Sequence, residues 1–367
     1  MPPDQRTDSS PRICHDPLSG RPVFVAPQRG GKPNDRELVV SGDGVTDHPS
    51  VWCPFCVGNE SRTPPDIVRA PADMAAPWQS RIVTNGYPIT TDRPPLDLSE
   101  SGWAGSDRYA HGTHDVVIES PRHDRSILAV APEAWRDVWT ICQRRFVMLA
   151  EQPGLAWATV FKNSGPRAGA SLEHVHSQLI GVDIVPPALH TELATLEVQR
   201  DPFGRLLAEA RAAGRIIATA DDLVALVPPA PRQPFETWIV VAEPERHFHA
   251  ASAARVMAIA DLTRDIVGRL ERLVPGCDYN WWLHQAPFDR SINTPGRAAA
   301  WHWHLEILPR LTELAGFELG TGCHITTMTA EDAAHRLRDA AVETGFDVCV
   351  SPARGWQKSR RRGEDAV

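Results

Sequence analysis

The chain carries one plan twice. HDVVIESP (His114–Pro121) returns as TWIVVAEP (Thr237–Pro244), and SLEHVHSQLIG (Ser171–Gly181) returns as AAWHWHLEILP (Ala299–Pro309). Each first segment is followed by a run with helical apolar spacing, Pro132–Leu149 and Ala253–Leu273. In the former, Trp135, Val138, Trp139, Cys142 and Phe146 fall on one side. A strand, Leu155–Phe161 or Tyr279–Leu283, then leads toward each histidine segment. The interval from Pro121 to Pro244 nearly equals that from His174 to His302, and agreement over four elements marks a duplication. A duplicated chain of 367 residues has room for two ordinary domains. The prediction is an α+β protein of two tandem copies, each an antiparallel sheet flanked by helices, joined into one body. The boundaries expected are 11–185 and 186–345, with disordered tails at 1–10 and 355–367.

The copies differ in chemistry. In FKNSGPRAGASLEHVHSQLIG a run of small residues, Gly165–Ser171, feeds a strand read as Ser171–Ile180. His174, His176 and Gln178 recur at every second position, so they share a strand face. A purely structural strand would place apolar residues on one face and seldom line up three such groups. A neutral histidine held in one orientation can attack phosphorus and carry the phosphoryl group. An amide beside it can steady phosphate oxygens, loop amides can cradle phosphate, and a second histidine two residues back can bind a metal. The second copy has His302, His304 and Glu306 in the corresponding places, lacks the Gly loop and gains His284. That contrast predicts one catalytic half and one structural or metal-binding half.

Cys53-Pro54-Phe55-Cys56 has the spacing of a metal knuckle. It is followed by VGNESRTPPD, which reads as loop, whereas a redox pair normally opens a helix after a strand. Metal is therefore the reading, with histidines recruited from elsewhere. Seven cysteines, an odd number with one tight pair, fit a reduced compartment. The opening MPPDQRTDSS lacks an apolar signal core, and no apolar run approaches membrane-spanning length, so a cytoplasmic location is expected. A net charge of −8 argues against a nucleic-acid surface; the basic run Arg360–Arg362 lies in a polar tail. Pro22–Ala26 reads as a strand, and Arg29 and Lys32 follow on a Gly loop that is either a solvated turn or a phosphate-binding loop. Arg81–Thr90 reads as a strand that ends in Asn85-Gly86. The Pro-rich stretches 63–77, 86–95 and 228–234 read as loops. Trp281, Trp282, Trp301 and Trp303 beside the late histidines read as wall and core.

Taken in order, these motifs resemble the galactose-1-phosphate uridylyltransferase family of the histidine-triad superfamily, from about His15 to Leu337. CPFCVGNE with TPP resembles the zinc knuckle, SPRHD the segment of a third ligand, and HVHSQ the His-x-His-x-Gln motif. WLHQAPF and WHWHLEILP resemble second-metal segments. GFELGTGCHI resembles a nucleotide-sugar segment, especially that of ADP-glucose phosphorylases. The resemblance implies tandem histidine-triad-like halves and a structural Zn²⁺ on Cys53, Cys56, His123 and His174. It implies His176 as nucleophile and Gln178 on the phosphoryl oxygens. Arg29 and Lys32 would lie near the nucleotide sugar, Asn85 in the uridine pocket, and Asn163, Gly169, Ala170 and Ser171 on the phosphate side. Phe317, Gly320, Thr321 and Gly322 would reach the partner subunit's site in a homodimer. A second metal, iron or zinc, would take Glu192, His284, His302 and His304. Val175 stands where the uridylyltransferases commonly carry Pro, which with GFELGTGC leans toward the phosphorylase-like branch.

The mechanism implied is ping-pong nucleotidyl transfer through a covalent nucleotidyl-histidine, exchanging a nucleotide between a nucleotide sugar such as UDP-glucose and a hexose 1-phosphate. Inorganic phosphate or water as acceptor, giving a phosphorylase or a hydrolase, and a non-catalytic zinc module are the competing expectations. Uridine and adenine both remain open.

Overall fold

The computed structural model describes residues 10–15, 22–31, 53–94, 108–199, 201–288 and 298–341. Lys32, the tail 355–367 and all but residue 10 of the expected N-terminal tail lie outside them.

Among the described residues thirteen strands follow in chain order: β1 Arg12–His15, β2 Pro22–Val25, β3 Asp66–Ala70, β4 Ser80–Thr84, β5 Arg108–Tyr109, β6 Gly112–Ile118, β7 Trp157–Ser164, β8 His176–Val182, β9 Ile216–Ala220, β10 Leu223–Leu226, β11 Thr237–Val241, β12 Tyr279–His284 and β13 His304–Pro309. The helices are α1 Pro132–Glu151, α2 Pro187–Val198, α3 Pro202–Ala212, α4 Ala253–Leu273, α5 Gly316–Thr321 and α6 Ala330–Asp339. A small sheet has the order β2-β1-β5. The main sheet has ten strands in the order β3-β4-β6-β8-β7-β12-β13-β11-β10-β9.

That order is a palindrome of the duplication. β6, α1, β7 and β8 have β11, α4, β12 and β13 as counterparts, and β7 and β12 meet in the middle. There Tyr279 faces Ser164, Trp281 faces Lys162 and Trp282 faces Phe161, antiparallel. Two copies thus bury their would-be edges against each other, which removes unpaired strand groups from the centre. The ladders also correct the motif match by one residue. Ile118 faces His176 and Val240 faces His304, so β6 and β11 correspond one step out from the Pro121–Pro244 alignment.

The two long helices cover the sheet. On α1, Trp135, Val138, Trp139, Cys142 and Phe146 are buried, the side the spacing marked. Trp139 stacks on Trp281 with ring centroids 5.4 Å apart, and Trp135 Nε1 donates to Ala260 O on α4 at 3.0 Å. Arg136 forms an ion pair with Asp261 at 2.8 Å. These contacts tie one copy's helix to the other copy's strand and helix, which makes a single core of the two halves.

The expected strand at Ser171–Ile180 starts later, at His176. Asp124 O accepts Val175 N–H at 2.7 Å and draws the chain out of the ladder just before it. Likewise β13 starts at His304 rather than at Ala299. The Pro-rich stretch 63–77 contains a strand, β3, and the segment around Glu192 is helix α2. Among the described residues no helix is long and apolar enough to cross a membrane.

Candidate active site and metal clusters

The late start of β8 separates the two histidines of HVHSQ. His174 lies in the connection and turns toward Cys53 and Cys56. Its Nδ1 is 3.5 Å from each sulfur, and Nε2 faces the Ser120 carbonyl at 2.9 Å. A carbonyl only accepts, so Nε2 carries the proton and the Nδ1 lone pair points at the sulfurs. His123 Nδ1 is 3.4 Å from Cys56 Sγ. The ligand atoms of Cys53, Cys56, His123 and His174 lie within 4.8 Å of one another, a group able to hold a metal ion. Burial lowers the His174 pKa to about 4, keeping the ring neutral as a ligand must be. Burial, with Cys53 alongside, pushes the Cys56 thiol up to about 12. Phe55, between the two cysteines, packs against both histidine rings, 5.8 Å from His174 and 5.3 Å from His176. The knuckle thus braces the strand start through the aromatic ring between its two cysteines.

His176 opens β8 and is 8 % exposed. Its Nδ1 donates to the His174 carbonyl at 2.7 Å, which leaves the lone pair on Nε2. A ring with one nitrogen fixed as a donor and the other unprotonated is a nucleophile held in one tautomer. Gln178, two residues along, shares its face. Beneath them lies a buried polar group. Lys162 Nζ donates to the His176 carbonyl at 2.8 Å and to Glu119 Oε2 at 2.6 Å, and Ser177 donates to the other Glu119 oxygen. Lys162, Ser177 and Glu119 are all buried. Burial lowers the Lys162 pKa against the opposing pull of Glu119.

Other expected site residues gather around this strand. Asn85 Oδ1 accepts Tyr87 N–H at 2.8 Å, and Asn85 Nδ2 lies 3.1 Å from His114 Nε2. His114 Nε2 is also 2.9 Å from Gln178 Oε1, so Asn85 and Gln178 meet at a histidine that carried no motif signal. Arg29 donates to the Tyr87 carbonyl at 2.7 Å, which places the basic loop beside the Asn85 turn. The small-residue loop is held by the second half. Asp278 accepts Arg167 N–H at 2.6 Å, and Asn280 donates to Asn163 at 2.8 Å and to the Ala168 carbonyl at 2.9 Å. Gly169 has φ +84°, a conformation that suits glycine, and Ala170 N–H closes the turn on Gly165 O. Ser171 Oγ is buried without a hydrogen-bond partner among the described residues. Phe317, Gly320, Thr321 and Gly322 stand apart, exposed on and just after α5 and bonded within their own turn.

The second half builds a different cluster. Ligand atoms of Glu192, His284 and His304 lie within 4.8 Å of one another. Glu192 is 3.0 Å from His284, and Glu306 Oε1 is 3.6 Å from both His284 and His304. His304 Nδ1 donates to the His302 carbonyl at 3.0 Å, the same tautomer as His176. His302 stands outside the group. Its Nδ1 faces the Val241 carbonyl at 2.7 Å and its ring stacks on Phe203 at 5.0 Å. It precedes the strand, and a bridge to Glu245 holds it there. Burial alone would raise the Glu306 pKa, but His304, His284 and Arg232 hold it at about 2.

A duplicated histidine-triad fold with an Nε2-poised histidine, a neighbouring amide and a small-residue loop defines an enzyme class that transfers nucleotidyl groups. Comparison with known proteins agrees. A family model described as a domain of unknown function (DUF4921) matches residues 103–345. ADP-glucose phosphorylase of Arabidopsis thaliana is 30% identical over 342 residues, 92% of this chain and 95% of that protein. Galactose-1-phosphate uridylyltransferase of Thermotoga maritima is 24% identical over 79% of this chain and 90% of that one. The crystal structure of an Arabidopsis thaliana ADP-glucose phosphorylase with bound ADP-glucose matches with a TM-score of 0.70 at 29% identity, covering 90% of this chain and 98% of that chain. The chain belongs to the galactose-1-phosphate uridylyltransferase family, with the features of its ADP-glucose phosphorylase branch.

Proposed function

We propose that this enzyme is an ADP-sugar phosphorylase working through an adenylyl group carried on His176. The observation that carries the reading is the His176 ring itself: Nδ1 donates to the His174 carbonyl, which leaves Nε2 unprotonated, and Gln178 shares the same strand face. In the first step Nε2 attacks the α-phosphorus of ADP-glucose. The bond from that phosphorus to the bridging oxygen breaks, and glucose 1-phosphate leaves with the electron pair. In the second step an oxygen of inorganic phosphate attacks the same phosphorus, the P–N bond breaks, ADP leaves, and the lone pair returns to Nε2. Gln178 and the Ser171 amide, presented by the small-residue turn that Gly169 and Ala170 close, stabilise charge on the phosphoryl oxygens. Arg29, Asn85 and Asn163 contact the nucleotide sugar.

The choice of adenine and phosphate rests on the relatives above, on Val175 and on GFELGTGC. Uridylyl transfer between UDP-glucose and a hexose 1-phosphate is the second reading, supported by the relatives named for it. In this account Cys53, Cys56, His123 and His174 hold a structural zinc. Tetrahedral zinc with sulfur at about 2.3 Å and nitrogen at about 2.0–2.1 Å sets sulfur–nitrogen edges of about 3.5 Å. The sulfur–nitrogen separations of 3.4 and 3.5 Å match this. Four protein ligands leave no position for substrate, so the ion fixes the strand start. Glu192, His284 and His304 are the ligands of a second metal, iron or zinc. The halves divide at 185/186, and the protein is a cytoplasmic homodimer. The exposed Phe317 and Leu319, 54% and 72% accessible, support a role for α5 at the partner's site.

The test is an acceptor assay. With ADP-glucose and inorganic phosphate the enzyme should release glucose 1-phosphate and ADP in equal amounts, well above its rate with UDP-glucose and galactose 1-phosphate. The reverse preference would favour the uridylyltransferase reading, and release of AMP alone would favour hydrolysis.

A further inference from the structure

His114 has no place in the family motifs used above, yet it sits between the two amides of the site. It is 3% exposed, on β6, where its backbone pairs with Ile180. Its Nδ1 receives the backbone N–H of Ile89 at 3.1 Å. A backbone amide can only donate, so Nδ1 is unprotonated. The ring proton therefore lies on Nε2, which has two amides within reach: Gln178 Oε1 at 2.9 Å and Asn85 Nδ2 at 3.1 Å. Asn85 cannot turn its oxygen to meet that proton, because Oδ1 already accepts Tyr87 N–H at 2.8 Å. The proton goes to Gln178.

We infer that His114 is a positioning residue that sets the polarity of Gln178, holding its oxygen toward β6 so that its NH₂ is the end available to a phosphoryl oxygen beside His176. The inference rests on the nucleotidyl-histidine reading and deepens it. A glutamine amide offers an acceptor at one end and a donor at the other, and the two differ little in shape. Beside a nucleophile that attacks a phosphorus, an oxygen turned to the cleft would repel the anionic phosphoryl oxygens, and an NH₂ stabilises them. The same proton leaves the Asn85 NH₂ without an acceptor on the histidine ring, so both amides present donors. The pair therefore suits a ligand that presents acceptors, the phosphoryl oxygens and the base edge of a nucleotide.

Two measurements test this on the full chain. With nitrogen-15 histidine labelling, and His114 assigned by difference from His114→Gln, the ring should show an unprotonated Nδ1 and a protonated Nε2. A protonated Nδ1 overturns the inference whatever the activity. In single-turnover adduct formation with ADP-glucose, Gln178→Ala should slow the reaction by roughly a hundredfold. His114→Phe should slow it by on the order of tenfold or more, with the apparent substrate affinity changed far less. His114→Gln, which can accept from Ile89 and donate to Gln178, should recover most of that rate. In the Gln178→Ala background, His114→Phe should cost less than about twofold more. Additive losses would mean that His114 does not act through Gln178 and would overturn the proposal. If the wild type forms no adduct with ADP-glucose or UDP-glucose, the functional reading fails while the tautomer result still stands on its own.

Discussion

Strands β8 and β13 hold matching places in the two halves, and each begins with a histidine whose Nδ1 donates to the carbonyl two residues back. Their neighbours divide them. Behind His176 the next residue is Ser177, and the residue after Ile118 on the adjacent strand is Glu119; the two bond to each other, and Glu119 also pairs with Lys162. Behind His304 the equivalents are Leu305 and Val241, both fully buried and apolar. Gln178 meets the imidazole of His114, whereas Glu306 meets Arg232, itself paired with Glu236 at the position that corresponds to His114. One copy carries a neutral amide, with its oxygen on His114, on the same strand face as a histidine unprotonated at Nε2. The other fills the same place with carboxylates and an arginine. On the proposed reading, a duplicated strand becomes either a reaction centre or a metal-binding cluster through the residues around it, while its backbone and histidine tautomer stay the same. The Lys162–Glu119 ion pair has apolar counterparts, Leu283 and Val241, in the second half; in the first, Lys162 donates to the carbonyl of His176, the proposed nucleophile.

The contrast can be broken most sharply by exchanging the histidines for glycine. His176→Gly should lower turnover by at least about a thousandfold, because the covalent step loses its atom. His304→Gly should leave turnover within roughly tenfold and act on the second cluster and on stability instead. Comparable losses from both would mean the halves are not chemically divided. Next in size is Lys162→Met, which leaves Glu119 buried without its cation; denaturant unfolding should show a loss of about 3–5 kcal/mol. A loss under about 1 kcal/mol would show that the pair is not needed to hold the strand. Cys53→Ala should release the zinc proposed for this cluster, measured by elemental analysis, and lower the melting temperature. The three remaining ligands, Cys56, His123 and His174, should not retain the ion.

The smallest effect is in pH. The His174 pKa lies near 4 in the fold, against an ordinary 6.5, chiefly through burial. Between those values the unfolded chain binds a proton that the folded ring refuses, so stability falls as pH drops from about 6.5 toward 4 and levels off below. Urea titrations of chelator-treated protein should show that slope, and His174→Gln should flatten it.

Much of this was legible in the sequence because duplication and period-two histidines are local patterns. Helix α4 spans Ala253–Leu273 as the periodicity indicated, and α1 runs to Glu151, two residues past the expected end. What could not be read was of two kinds. Helices α2 and α3 begin at Pro187 and Pro202, in stretches whose prolines suggest loop; proline at a first helical position lacks only an N–H that would be unpaired there. Strand β3 hides in a Pro-rich stretch for a similar reason, and β9 and β10 are too short to show a period. The second kind is relational. His114, Lys162 and Glu119 carry no spacing signal, because their partners lie on other strands and meet them only through the ladder register. The separation of His302 from its expected cluster is also a matter of where β13 begins.

The central claim is that His176 Nε2 carries the nucleotidyl group, and its most direct test is an intact mass of the zinc-loaded enzyme quenched soon after mixing with ADP-glucose without phosphate, followed by peptide mapping. The account predicts an adenylyl adduct on the peptide containing His176, labile in acid, absent from His176→Gly and discharged as ADP when phosphate is added. An adduct on another residue, or turnover of ADP-glucose that persists in His176→Gly, would contradict it.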